Sequence, residues 1–463
     1  MIPLSLKEIA AIVGGEVHGD DVVVTGAAFL DSRNPVPGGL FVAIDGEHVD
    51  GHAYAGGAIA AGAAAVLGSR PTGVPTVVVA DPQQALGKLA RAVLDRLAVL
   101  VVALTGSQGK TGTKDLLASL LADAGTTIAT AGNLNNELGV PLTVLRADES
   151  TDYLVVEMGA RGIGHIAYLC EIAPPNVAMA LNVGVAHIGE FGGKAEIAQA
   201  KGEIVEALAS DGTAVLNADD PLVDAMAGRT QGQVLRFGYA GSADVRIENL
   251  VLDDLGRATF DLVRGPERES VSLQGLGRHQ ASNAAAAATA AIAVGLPLRR
   301  IAASLSTARS ASRWRMELHE RADGLTVIND AYNANPDSMR AALETLSGIG
   351  KRSGRRTVAV LGEMGELGAA SHEAHRALGT LAQELAIDAV VVVGAGSRPI
   401  FDALVQERGD DGSAVAVETT EQAETWLREN VAGPDVVLVK ASRAAELERV
   451  AEIFIDEAKE AST

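Results

Sequence analysis

The sequence predicts an α/β protein of three domains. These are a small N-terminal α/β domain over residues 1–82, a central domain with a mostly parallel sheet over 83–312, and a C-terminal doubly wound, Rossmann-like domain over 313–463. Three observations predict this. The chain has 463 residues, and at roughly 100–200 residues per domain that length suits three. Apolar runs of strand length alternate with helical patterns, as in parallel sheets covered by helices. Hydrophobic residues make up 48% and aromatics only 3%, so the core must come from Ala, Val, Leu and Ile.

The elements follow in order. Ser5 and Glu8 form a capping-box pair opening a short helix that ends near Gly14–Gly15. Val22–Thr25, Leu40–Ile44 and Thr76–Val79 read as strands, Tyr54–Ala65 as a small-residue helix, and Gln83–Leu97 as the helical approach to the second domain. Val99–Leu104 is a strand-length apolar run. After a glycine-containing turn, Lys110 to Ala124 carries a helical stripe of Leu116, Leu117, Leu120 and Leu121. Further runs at Tyr153–Val156, Val177–Leu181 and Ala214–Leu216 continue the alternation. Val234 to Leu273 is β-rich without helices, which suggests a small antiparallel insert, and His279–Val294 is an alanine-rich helix. Alternation then restarts, with strands at Leu325–Ile328, Val358–Leu361, Ala389–Val393, Ala414–Val417 and Val436–Val439, and with helices near Asp337–Leu346 and Glu373–Leu385.

Composition narrows the function. A net charge of −21 repels phosphate backbones and argues against a nucleic-acid partner, so a site for an anionic nucleotide must be locally basic. The single cysteine, Cys170, rules out an internal disulfide and suits a reducing compartment. The start lacks the charged, apolar pattern of a secretory signal. Uncharged stretches are too poor in Leu and Ile to span a membrane. A cytoplasmic monomer is expected.

The strongest motif is Thr105-Gly106-Ser107-Gln108-Gly109-Lys110-Thr111-Gly112, between a strand and a helix. Glycines let the backbone turn its N–H groups toward a phosphate, and the helix start adds positive potential. The lysine supplies charge, and the threonine hydroxyl can hold Mg²⁺. The loop is short: the common pattern has a glycine five residues before Gly109, where this chain has Leu104. Glu157, at the end of the Tyr153 strand, is the carboxylate a nucleotide-bound Mg²⁺ wants, and His187 follows another strand. The residues alone point to a central P-loop ATPase domain. Gly394-Ala395-Gly396 fails as a dinucleotide fingerprint because Pro399 takes the third glycine position. His372 and His375 lack zinc-protease spacing and read as a solvated helix face, and Cys170 reads as buried and inert.

With these residues the chain resembles the Mur ligase family over essentially its whole length. The shortened loop is similar to that family's variant, as is Asn135-Asn136-Glu137-Leu138-Gly139. The resemblance implies ATP and Mg²⁺ as cofactors, with Thr111 and Glu157 on one metal and His187 on a second. Lys201, fourteen residues after His187, matches a lysine carbamylated to hold that second metal. Lys110, His187, Lys201, Arg315 and Asp330 become the implied catalytic set. Thr105 to Gly112, Asn283, Arg315, Asp330 and Asn333 become the nucleotide set, with Gln280 standing where the family has Asn and Arg313 competing with Arg315. Asp31, Ser32 and Arg33 in the first domain, with Asn136, Lys440 and Ser442, would hold substrate. The activity implied is ATP-dependent joining of D-alanyl-D-alanine to a UDP-muramyl tripeptide through an acyl phosphate, in peptidoglycan synthesis. Two alternatives stay open: a related ligase adding another amino acid to a muramyl peptide or a folate, and a nucleotide-dependent switch without ligase chemistry.

Overall fold

The computed structural model describes residues 1–46, 49–184, 193–309, 311–409 and 412–460. His187 lies outside them. Three main sheets form in chain order. The first has five short strands, and Ser5 opens the helix Leu6–Val13 with both halves of its capping box made. Gly14 closes that helix at φ 73°, a left-handed position that glycine takes without a Cβ penalty.

The central sheet has nine strands. Leu100–Thr105 lies between Tyr153–Glu157 and Val177–Ala180, parallel to both. Thr127–Ala129 closes one edge, while Thr213–Asn217 and Gln233–Gly238 extend the other. The chain therefore leaves Leu100–Thr105 to one side and later returns on the other. Beyond the carboxyl ends of such strands lies a crevice suited to ligands. Helix Lys110–Ala122 covers one face, buried through Leu117, Leu120 and Leu121.

The β-rich stretch is not a separate insert. Val245–Leu252 pairs with Gln233–Gly238, and Arg257–Arg264 and Glu267–Leu276 add antiparallel strands, so the central sheet simply continues. Its inner face, with Ile247, Phe260, Leu262 and Val271, shares a core with the alanine helix His279–Ala293. Small alanines let that helix lie close on the sheet and also bury it almost all round.

The last sheet has six strands. Parallel strands Thr326–Asn329, Val436–Lys440, Thr357–Leu361, Ala389–Val393 and Ala414–Val417 carry separate apolar clusters on the two faces, as expected of a doubly wound sheet. An antiparallel edge strand, Glu317–Glu320, precedes them. Its Glu-Leu-His-Glu sequence has too little apolar character to read as a strand. The linker before it is tied to the central domain: Ser312 N–H donates to Asp115 Oδ2 (3.1 Å), and Lys114 Nζ reaches Asp115 (2.8 Å) and the Thr130 carbonyl (2.9 Å). Among the described residues no helix is long and apolar enough to cross a membrane.

Candidate active site

The loop after Leu100–Thr105 curls because Gly109 sits at φ 78°. A Cβ there would come within 2.5 Å of Asn283 Oδ1, so any other residue would be strained at this φ and would push Asn283 aside. Asn182, just past the neighbouring strand, fastens the loop: its Oδ1 accepts from Ser107 N–H (3.0 Å) and Gln108 N–H (2.9 Å), and its Nδ2 donates to the Gln108 carbonyl (3.0 Å). Lys110 Nζ folds back to the Gly106 carbonyl at 2.7 Å. Burial lowers the Lys110 pKa, with the nearby Glu157 charge opposing that shift.

Glu157 is buried and engaged on both oxygens. Thr111 Oγ1 donates to Oε2 (3.1 Å) and Asn135 Nδ2 to Oε1 (2.9 Å). A hydroxyl and a carboxylate side by side on a cavity wall are hard oxygen donors of the kind Mg²⁺ takes. Among the described residues there is no group of three or more His, Cys, Asp or Glu placed to hold a metal. Lys201, on helix Lys194–Glu206, is buried in the same wall. Its pKa falls well below the ordinary lysine value, first through burial and then through the charge of Lys110.

The C-terminal domain supplies the facing wall. Lys440 Nζ lies 2.6 Å from Asp330 Oδ2 and donates to the Asn333 carbonyl at 2.9 Å. Burial lowers its pKa, and Asp330 works against that. Asp330 Oδ1 accepts from Met316 N–H at 3.0 Å. The Arg315 guanidinium stacks 4.2 Å from the Tyr332 ring centre. His279, at the start of the alanine helix, has its pKa lowered by burial. Asn283, one turn on, donates to Gln280 Oε1 at 3.2 Å.

One cavity of about 360 Å³ gathers these groups. It brings together Gly106 to Gly112, Asn136, Glu157, Lys201, Asn283, Arg315, Asp330, Asn333 and Lys440 from the sequence reading. Gln280 lines it and Arg313 does not. Thr105 is buried beneath the loop and outside the lining, as is Ser442. Asp31, Ser32 and Arg33 are not brought to the cavity: they lie on the first domain, where Arg33 pairs with Asp31 at 2.9 Å. Sequence reading did not single out Asn182, and it carried Asn135, His279, Tyr332 and Glu366 only within longer motifs. Asn182 had a usable signal, a polar residue directly after a fully apolar strand. Two further expectations meet the structure at buried groups. His375 is not on a solvated face: it is fully buried, accepts from Met364 N–H at 2.9 Å, and lies 2.7 Å from the Ser371 carbonyl. Cys170 is buried as expected.

A phosphate loop, a strand-end carboxylate and a second domain facing both define a nucleotide-dependent enzyme of the phosphoryl-transfer class. Comparison with known proteins narrows the class. Residues 27–94 match the Mur ligase family catalytic domain, 104–291 the Mur ligase middle domain, and 314–443 the Mur ligase glutamate ligase domain. UDP-N-acetylmuramoyl-tripeptide–D-alanyl-D-alanine ligase from Mycobacterium bovis is 44% identical, covering 98% of this chain and 98% of its own. The enzyme of that name from Escherichia coli is 37% identical over 97% and 98%. Among solved structures, MurF from Acinetobacter baumannii superimposes with a TM-score of 0.86 at 31% identity, covering 98% of this chain and 99% of its own. MurF ligase from Thermotoga maritima in complex with ADP gives 0.80 at 32% identity, covering 94% and 99%. The chain belongs to the Mur ligase family and is an ATP-dependent amide ligase with its three-domain α/β fold.

Proposed function

We propose that the chain joins D-alanyl-D-alanine to UDP-N-acetylmuramoyl tripeptide, giving the pentapeptide precursor of peptidoglycan, ADP and phosphate. The observation that carries this reading is the single cavity in which Lys110, Glu157, Lys201, Arg315, Asp330 and Lys440 meet. Residues 83–312 act as the ATP domain and 313–463 as the ligase domain. Residues 1–82, with Asp31, Ser32 and Arg33, hold the UDP end of the sugar peptide. Asn136, Lys440 and Ser442 serve the peptide side. Both substrates are small molecules, which suits a cytoplasmic enzyme working as a monomer.

The tripeptide carboxylate attacks the γ-phosphorus of ATP in line, the bond to the β-phosphate oxygen breaks, and ADP leaves. Lys110 and Arg315 spread the charge on the transferring phosphoryl group. Asn283, Asp330 and Asn333 orient the nucleotide. The dipeptide amine then attacks the acyl carbon, a C–N bond forms, the C–O bond to phosphate breaks, and the extra amine proton is lost. Thr111 and Glu157 would hold one Mg²⁺, and Lys201 as a carbamate, with His187, a second; such ions neutralise phosphate charge. The buried, pKa-lowered amine of Lys201 supports carbamate formation, because only a neutral amine adds CO₂.

ADP release measured with UDP-muramyl tripeptide, with and without D-alanyl-D-alanine, tests the reading. Strong stimulation by the dipeptide is expected. Equal release without it, or stimulation by another amino acid instead, sinks it.

A further inference from the structure

Arg315 enters the cavity from the segment joining the second and third domains, and its backbone is held in an uncommon way. The residues on either side, Trp314 at φ 57° and Met316 at φ 49°, both take the left-handed conformation. Neither is glycine, and side chains with a Cβ reach that region at a cost. Such positions persist where the surroundings over-determine them. For Met316 the hold is its N–H bond to Asp330, described above.

Trp314 is held from four directions. Its N–H donates to Glu317 Oε2 (3.0 Å), and its carbonyl accepts from Tyr332 N–H (3.2 Å). Its indole Nε1–H donates to Glu452 Oε1 (3.0 Å), and the Arg443 guanidinium lies 4.4 Å from its ring centre. Arg443 is itself paired with Glu448. Glu448 and Glu452 lie on the last helix, Glu448–Glu460. The ring belongs to none of the apolar clusters among the described residues. Polar and cation–π contacts hold it, not a core.

We propose that Trp314 is a positioning residue for Arg315. The clamp of Arg443 and Glu452 on the indole fixes the twisted backbone, and that backbone aims the Arg315 side chain across Tyr332 into the cavity. Arg315 arrives with its Nε buried and without a hydrogen-bond partner, and among the described residues its guanidinium meets only Tyr332, through the ring stack and a side-chain hydrogen bond, so its direction is set by the backbone and that one residue. The inference rests on the reading of Arg315 as a γ-phosphate ligand. Phosphoryl transfer depends on placement, and a misplacement of about 1 Å can cost ~100-fold in rate.

The test is steady-state ADP release by the full chain at saturating UDP-muramyl tripeptide and D-alanyl-D-alanine, with ATP varied. Trp314→Gly is the informative variant, because glycine accepts φ 57° without strain and only the clamp is lost. We expect kcat to fall by about tenfold or more, with KM for ATP within about twofold. Glu452→Gln, which keeps an oxygen acceptor for the indole N–H, should stay near wild type, while Glu452→Ala falls about threefold. Added to Arg315→Ala, Trp314→Gly should cost less than about twofold more, because a residue acting through Arg315 has nothing left to position. Wild-type kcat in Trp314→Gly, or the same fold-loss in both backgrounds, overturns the proposal. Wild-type kcat in Arg315→Ala overturns the role of Arg315 itself, and the clamp with it. Should Trp314→Gly not fold, Trp314→Phe retains the ring under Arg443 and loses the N–H donor. It should then show an approximately threefold fall that vanishes in the Arg315→Ala background, and an unchanged kcat overturns the proposal.

Discussion

Lys201 and Lys440 line one cavity from the central and C-terminal domains, and both are buried lysines whose pKa values burial pulls down. Lys440 has a carboxylate at 2.6 Å and a carbonyl at 2.9 Å. Among the described residues no carboxylate is paired with Lys201, and the charge that acts on it is that of another lysine, Lys110. A buried charge with a partner holds structure together. A buried amine without one costs stability and gains reactivity.

The largest expected effect separates the two. Lys201→Met keeps the length of the side chain and removes the amine. ADP release with both substrates should fall by about 100-fold or more, while the unfolding free energy in bicarbonate-free buffer holds or rises by about 1 kcal/mol. A variant that unfolds more easily than the wild type breaks the comparison, because Lys201 would then have a stabilising partner.

Asp330→Asn addresses the other lysine. It leaves Lys440 buried without its counter-charge, and one broken buried pair costs about 3–5 kcal/mol. The sign with pH follows from the direction of the shift. Burial already depresses the Lys440 pKa in the folded wild type, and losing the Asp330 charge that opposes burial depresses it further, so over that added window the unfolded variant binds more protons and the variant regains stability relative to the wild type as pH rises toward about 10.4. Urea midpoints for wild type and variant that stay equally far apart from pH 7 to pH 10 would contradict this.

These residues also show what the sequence carries. The loop, Glu157 and the parallel strands are legible because each is a local pattern: a glycine spacing, a strand end, an apolar run. Long-range facts are not. That Asp330 reaches Lys440 across 110 positions is set by two strands that become neighbours only in the folded sheet. The strand Glu317–Glu320 is formed by its partner and not by its own residues. His375 misleads for the same reason. Its neighbours His372 and Glu373 are polar and exposed, so the segment reads as solvated, yet helical geometry turns that one ring inward.

His375 is satisfied on both ring nitrogens and so resembles Lys440 more than Lys201. Its Nε2 accepts from Met364 N–H and its Nδ1 lies against the Ser371 carbonyl. His375→Ala leaves a buried N–H without a partner and should cost about 1–3 kcal/mol. ATP binding should change little, as the ring is not in the cavity wall. Isothermal titration with ATP and urea unfolding would read the two effects separately.

Cys170 is the acid counterpart of Lys201, a buried titratable group without a charge of opposite sign beside it. Its Sγ lies 3.7 Å from Met158 Sδ, and burial pushes the thiol up to about 12 from 9.0, with the Glu203 charge adding to the shift. A raised folded-state value means that between about 9 and 12 the folded chain holds a proton the unfolded chain has released. Stability contributed by the thiol is therefore intact below pH 9 and is lost as pH rises above it. The loss approaches about 1.4 kcal/mol per pH unit. Cys170→Ala removes the titration, so the stability difference between wild type and variant should shift by about 1.4 kcal/mol between pH 8 and pH 10. The folded wild type should also resist iodoacetamide at pH 8 and react only once urea has opened it. Unfolding curves whose separation stays constant over that range would show that the thiol ionises freely.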